Sequence, residues 1–444
     1  MPIVKTLAGT EFTPELPERL LAIAGEIRNA GGRAFLVGGW VRDALLGKNC
    51  RDYDVEVYDL TQEQLLPILK RYGKTNLVGK AFGVIHLAMK GESLDFSFPR
   101  TESKVGYGHR GFVVHTDEKL NFKEAALRRD FTINAMGMEL PDLTLCDPYH
   151  GIDDLKTKVL RHVGPAFVED SLRILRGVQF ASRFECTLAP ETVELCRTLS
   201  LADLSVERLF EEFKKWLLKP GKPSFGLRAF LDIKLDGYFP EVCPFYGSWE
   251  GLGSLLNSVS GHQSVLRDDQ KMIVAFAALL GGVIGSEKDI EEQSLRFLNR
   301  ITNESKLLKG VPELLRCLSV LDFERVPSDS EMRRLGVSSQ KFLGGLEPLC
   351  VLVESLPSVG EGFAMNENYA KEFRDAAARL GLLQKVPEPY LTGKMLMDMG
   401  LAPGKQMGDI IKQSFELQLD GKITDVEEAI AWARTRITST GISR

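Results

Sequence analysis

The stretch "FLVGGWVRDALLGKNCRDYDVEVYDL", Phe35 to Leu60, constrains the fold most. An apolar, strand-like run ends in Gly38-Gly39. A short helical pattern containing Arg42 follows, and then "DYDVEVY", which alternates like a half-buried strand. Side chains alternate faces along a strand, so Asp52 and Asp54 share one face and Tyr53 takes the other. Two ionised carboxylates side by side repel each other, and burial makes this worse. A divalent cation relieves the repulsion, and Mg²⁺ prefers one or two carboxylates, keeping its other positions for water and phosphate. The plain alternative is a strand whose solvent face carries Asp52, Asp54 and Glu56.

The flanking residues favour a site. Glycines at 38 and 39 let backbone N–H groups approach a phosphate, and Arg42 adds a bidentate contact. Asp95, in "SLDFSF", is the only acid of a second strand-like run and completes a three-carboxylate set. Carboxylates on neighbouring strands suit two-metal phosphoryl transfer. Without that order of parts, a Gly-Gly pair is an ordinary turn.

The chain has 444 residues, room for roughly three domains at about 150 residues each. Before residue 155, helical and strand patterns alternate: Leu16, Leu20, Ile23, Ala24 and Ile27 at helical spacing, then the runs "DYDVEVY", "GVIHLAM" and "SLDFSF". Beyond it the pattern is helical, near 165–184, 189–199, 205–218, 270–281, 291–308, 367–381, 405–419 and 425–437. Breakers at 219–224 and 384–390 mark joints. The net charge of −5 argues against non-specific coating of nucleic acid, though not against a local basic groove. Seven dispersed cysteines, with no CxxC, argue against zinc and suit a reducing compartment. With neither a membrane-length apolar run nor a targeting pattern at the start, the expectation is a cytoplasmic protein without a membrane partner. No GxGxxG follows the first strand, which excludes a dinucleotide-binding oxidoreductase.

At "LVGGWVRDALLG…RDYDVEV", "RRDFTINAM" and "EDSLRILRGVQFASRF" the sequence resembles class II tRNA nucleotidyltransferases. These are the CCA-adding enzymes and bacterial poly(A) polymerases of the polymerase-β-like superfamily. The resemblance covers roughly 33–220, and a looser one covers the C-terminal "YLTGKMLMDMGLAPGKQMGDIIKQSFELQLDGKIT". It implies an α+β head, with a mixed, mostly antiparallel sheet, over 1–155. An all-α neck (156–235), body (236–385) and tail (386–444) follow. It implies Mg²⁺ on Asp52 and Asp54 with Asp95 as third carboxylate, and triphosphate held by Gly38, Gly39 and Arg42. Arg129 and Asp130 would contact ribose and phosphates with Asn134 nearby, and Asp170, Arg173 and Arg176 the incoming nucleotide. The partners implied are CTP, ATP and the tRNA 3′ end and acceptor arm. Residues 100–128, with Gly106, Gly108 and Gly111, fill the place of the family's flexible loop, which helps switch from CTP to ATP.

Residues 165–184 read as one helix, which places Asp170 and Arg173 on one face and Arg176 along the same stripe. Cytosine and adenine each show an amino donor beside a ring-nitrogen acceptor. A carboxylate and a guanidinium complement that pair, whereas uracil and guanine reverse it. Mismatched buried groups cost about 1–3 kcal/mol each. The alternative is an intrahelical salt bridge. Gln179 stands where the family often has Arg, which removes one charged contact.

"LSVERLFEEFKKWLL" resembles the segment that steadies the nucleotide-binding helix, with Ser205 as its N-cap. Gly281-Gly282 stand where many relatives carry the His-Asp pair of an HD phosphohydrolase module, and His262 is the only histidine near, so a degenerate, structural module is expected. Lys394, Lys405, Lys412, Lys422 and Arg434 could meet tRNA phosphates or form a solvated face. Asp425 is the expected cap of the last helix. The resulting expectation is untemplated addition of CMP, CMP and AMP to tRNA. A poly(A) polymerase, an A-only or CC-only enzyme, and a catalytically idle RNA-binding protein are the alternatives.

Overall fold

The computed structural model describes residues 4–78, 83–104, 112–116, 120–219, 221–245, 247–283, 286–339, 343–356 and 365–439. The chain divides into two compact units, 1–216 with 225–235, and 217–224 with 236–444.

The first unit opens with a small hairpin, β1 (Val4–Lys5) and β2 (Glu11–Phe12). α1 (Glu18–Asn29) buries Leu20, Ile23, Ala24 and Ile27, the stripe expected from their spacing. β3 (Arg33–Val37) leads through Gly38 into α2 (Gly39–Leu45). Then come β4 (Asp54–Tyr58), α3 (Gln62–Lys70), β5 (Lys74–Val78), β6 (Val84–Met89) and β7 (Glu92–Ser97). β8 (Arg100–Lys104) and β9 (Phe112–Thr116) pair as a separate antiparallel hairpin. α4 (Phe122–Ala126), β10 (Gly137–Leu140) and β11 (Thr144–Cys146) complete the head. The main sheet has the order β11-β10-β3-β4-β7-β6-β5. It is antiparallel except for β4 with β7. The mixed, mostly antiparallel head is therefore as expected. One sheet face packs Phe35, Val37 and Tyr58 against Phe122, Ala125 and Ala126. Phe35 stacks on Phe122 at 4.9 Å between centroids.

α5 (Gly151–Thr157) and β12 (Val159–Leu160) follow, then α6 (Leu172–Phe184), β13 (Thr187–Leu188), α7 (Pro190–Arg197), α8 (Val206–Leu218) and α9 (Pro223–Asp232). The expected helix over 165–184 is interrupted. Pro165–Glu169 is a 3₁₀ turn, and Asp170 is extended. The carboxylate of Asp170 accepts the Leu172 N–H (3.1 Å), competing with helical continuation as short polar side chains do.

The second unit is helical, running from α10 (Trp249–Gly261) and α11 (Asp268–Leu279) through α12 (Glu287–Ile301), α13 (Ser305–Ser319), α14 (Asp329–Ser338) and α15 (Glu347–Ser355). α16 (Tyr369–Arg379), α17 (Gly393–Asp398), α18 (Lys405–Leu419) and α19 (Val426–Ser439) end it. The 291–308 pattern spans two helices, broken at Thr302, whose backbone is extended. α13 carries Pro312 in its interior and α10 three glycines, which is why composition hid them. Asp425 caps the last helix as expected, accepting the Glu428 N–H at 2.8 Å. Gly282, just beyond α11, is pressed against the Cys243 backbone, and His262 Nδ1 lies 2.9 Å from the Ser258 carbonyl oxygen. No helix among the described residues is long and apolar enough to cross a membrane.

Candidate functional site

β3 delivers the chain to Gly38 at φ +68°, a left-handed conformation that glycine adopts without strain. The Arg129 guanidinium lies beside this turn, 3.5 Å from where a Gly38 Cβ would stand. Antiparallel to β3, β4 begins at Asp54 and runs parallel to β7, which sets Asp54 directly beside Asp95. The strand starts two residues later than expected, so Asp52 lies in the approach to it. The Asp95 N–H still reaches the Tyr53 carbonyl (3.3 Å), keeping that approach alongside β7. Asp52 and Asp54 are exposed, and Asp95 is half-buried.

Although Asp54 keeps solvent access, partial desolvation by the atoms around it raises its carboxyl above the ordinary range, and the charges of Asp52 and Asp95 raise it further while Arg129 opposes them. A closed three-carboxylate cage, however, is not what forms. Among the described residues no three His, Cys, Asp or Glu side chains are gathered to hold a metal. One oxygen of Asp95 instead meets His86 Nδ1 at 2.6 Å, the residue opposite it on β6. An exposed pair, Asp52 and Asp54, still fits the one or two carboxylates that Mg²⁺ takes.

Arg42, expected at the triphosphate, is only 3% exposed. It donates to Asp43 (3.0 Å) and Asn134 (2.5 Å), and its guanidinium lies over the Phe184 ring at 4.3 Å. It braces the turn from behind. Asn134, in the 3₁₀ turn Thr132–Asn134, donates its amide to Asp130 (3.0 Å). Asp130 is also held by its neighbour's Phe131 N–H (2.7 Å) and by Arg176 Nε (2.7 Å). Burial alone would raise the Asp130 carboxyl, but Arg176 and Asn134 outweigh it and hold it below the usual range. Four expected ligand residues thus form one polar chain, Arg42–Asn134–Asp130–Arg176, tying α2 to α6.

Asp170 and Arg173 do not share a helix face, since α6 begins between them. The Asp170 carboxylate pairs with Arg208 of α8 at 2.8 Å. Arg173 donates to the carbonyls of Ala166 and Arg128, both at 2.6 Å. Gln179 is buried. Glu56, assigned by the plain reading to a solvent face, is buried and binds Arg128 (2.9 Å), Arg129 (3.4 Å) and Tyr58 (2.6 Å). Its arginine partners lie 72 and 73 residues away, so alternation gave no signal of them. Gly106, Gly108 and Gly111 of the expected loop lie outside the described residues. Lys394, Lys405, Lys412, Lys422 and Arg434 are all exposed.

The family described as the poly A polymerase head domain matches residues 34–161. The multifunctional CCA protein of Stenotrophomonas maltophilia (strain R551-3) is 41% identical over 223 residues, 48% of this chain and 53% of that protein. The chain thus spans about half the length of that curated relative. With the multifunctional CCA protein of Pseudomonas fluorescens (strain SBW25) the similarity runs on, 40% identical over 416 residues, 86% of this chain and 96% of that one. The fold resembles that of the Bacillus stearothermophilus CCA-adding enzyme solved in complex with CTP. The TM-score is 0.66 at 23% identity, covering 95% of this chain and 97% of that one. Similarity of that identity over almost all of a relative's length, on a head that puts the Gly38 turn beside Asp54 and Arg129, makes this chain a member of the class II CCA-adding nucleotidyltransferase family.

Proposed function

We propose that this protein adds CMP, CMP and AMP to the 3′ end of tRNA from CTP and ATP, without a nucleic-acid template. The observation that carries the reading is the parallel register of Asp54 with Asp95, beside a Gly38 turn occupied by Arg129. The tRNA 3′-hydroxyl attacks the nucleotide α-phosphate, and pyrophosphate leaves. Gly38 and Gly39 let the phosphates approach the backbone, and Arg129 supplies positive charge there. Arg42, Asn134, Asp130 and Arg176 keep the turn and α6 in fixed relation, so alignment does much of the catalytic work.

Nucleotidyltransferases of this family generally use divalent metals. Here Mg²⁺ would be held by Asp52 and Asp54, with Asp95 adding charge beside them. When bound, it would supply activation of the 3′-hydroxyl and stabilisation of the leaving pyrophosphate. Asp170 and Arg173 choose the base. A carboxylate has about four acceptor sites and a guanidinium five donors, more than their present partners take. Both are half-buried at the start of α6. The domain limits near 155, 235 and 385, tRNA contact by the tail lysines, and a cytoplasmic location belong to the same proposal. The seven free cysteines support that location.

The family's poly A polymerase head description favours a second reading, addition of A alone in long tails. Incubation with Mg²⁺, each NTP, and tRNAs ending before CCA, after C or after CC separates the two. Addition of C, C and A with a clean stop is expected. Long A-tails would establish the second reading, and no incorporation from any primer would refute both.

A further inference from the structure

Glu56 stands two residues beyond Asp54 on the same face of β4, about 7 Å along the strand. It is 1% exposed, yet it is ionisable. One oxygen accepts from Arg128 (2.9 Å), and the other from the Tyr58 hydroxyl (2.6 Å) and Arg129 (3.4 Å). Both arginines are largely buried too. Replacing a buried ion network by well-packed apolar residues is often neutral or stabilising. This layer, with Phe35 and Phe122 alongside, would therefore be served as well by apolar residues in place of Glu56, Arg128 and Arg129 together. Stability alone does not account for a carboxylate there.

Geometry accounts for it. Arg129 reaches from Glu56 to the Gly38 turn, where its second terminal nitrogen meets the Asn134 carbonyl (3.4 Å). It also acts electrostatically on Asp54. Arg128 turns its backbone carbonyl to Arg173. One buried carboxylate thus holds two guanidiniums in place. We infer that Glu56 is the positioning residue that holds Arg129 against the Gly38 turn, so that its guanidinium is aimed at the polyphosphate of the incoming nucleotide. This rests on the proposed nucleotidyl transfer. Because Arg129 meets the phosphates before and during transfer, its misplacement acts chiefly on KM.

The test is a double-mutant cycle in the full chain with Glu56→Gln, Arg129→Ala and both. Thermal unfolding checks folding. Kinetics of AMP addition to tRNA ending in CC, and calorimetric binding of inorganic tripolyphosphate with Mg²⁺, give the readouts. Glu56→Gln should lower kcat/KM for ATP tenfold or more, mostly through KM, and weaken tripolyphosphate by a similar factor. In the Arg129→Ala background it should add less than twofold. Equal factors in both backgrounds, or a folded Glu56→Gln protein within twofold of wild type, would overturn the inference. If Glu56→Gln does not fold, Tyr58→Phe decides. It removes the bond fixing the oxygen that meets Arg129, and should weaken tripolyphosphate two- to fivefold; unchanged binding would overturn the inference. Tripolyphosphate binding needs no tRNA, so a wild-type protein that binds it but incorporates nothing refutes the function and leaves the role of Glu56 still measurable.

Discussion

Removing Arg176 isolates the contribution of the buried polar chain. Arg176 gives Asp130 one charge-assisted hydrogen bond, from Nε at 2.7 Å, and an ion-pair contact from a terminal nitrogen at 2.6 Å, both to one oxygen. Asp130 is 8% exposed. In Arg176→Ala that oxygen loses both partners, while the other keeps the Phe131 N–H and the Asn134 amide. Breaking a buried pair costs about 3–5 kcal/mol. The two surviving bonds point to the lower end, about 3 kcal/mol, or roughly a hundredfold in an opening equilibrium at 1.36 kcal/mol per decade. Two compact units make a single global unfolding transition a poor measure. Hydrogen exchange of peptides covering 130–140 and 172–184 reads the local opening instead. Exchange there should rise about a hundredfold over wild type at pH 7. The pH dependence supplies a second check. In wild type the Asp130 carboxyl is held below its ordinary value, so its contribution is present above the unfolded value and lost as pH falls through the folded one. Without Arg176 the carboxyl loses its largest charge partner, so its value moves back toward the ordinary range and less stability is lost on acidification. The mutant's deficit should then shrink as pH falls from 5 through the ordinary carboxylate value near 3.8, comparing mutant with wild type at each pH. An exchange ratio below threefold at pH 7, or a deficit that grows on acidification, would refute the reasoning.

Two further outcomes follow from packing and burial. Glu313 on α13 is 5% exposed, and burial pushes its carboxyl up to about 7 while Arg316 opposes the shift. Stability from its protonated form is complete below the unfolded value near 4.5 and lost as pH rises to about 7. Glu313→Gln should therefore stabilise the second unit at pH 8, by at most about 3 kcal/mol, and change little at pH 4; urea unfolding at the two pH values checks this. A Cβ at Gly226 would collide with the Trp216 indole, which stacks on Phe230 at 5.6 Å. Gly226→Ala should cost about 1–3 kcal/mol of overpacking and shift the Trp216 fluorescence, whereas an unchanged spectrum and Tm would contradict the packing.

The sequence by itself determined the order of parts. An apolar run, Gly38-Gly39, Arg42, then Asp52 and Asp54 at alternating spacing required a strand, a turn and a second strand, because periodicity and glycine are local properties. The same holds for the amphipathic stripe of α1 and for the Asp425 cap. Locality also set the limit. Whether Asp170 continues a helix depends on a carboxylate drawn to Arg208, 38 residues on. Whether Asp95 faces a metal or His86 depends on the register of β6 with β7. Arg42 looked like a phosphate ligand until Asn134, 92 residues away, took its guanidinium. Glu56 looked solvated until Arg128 and Arg129 arrived from another part of the head. A charged side chain carries in its sequence context no record of which distant partner will neutralise it. Only the tertiary structure decided which charges lie open at the candidate site and which hold the others in place.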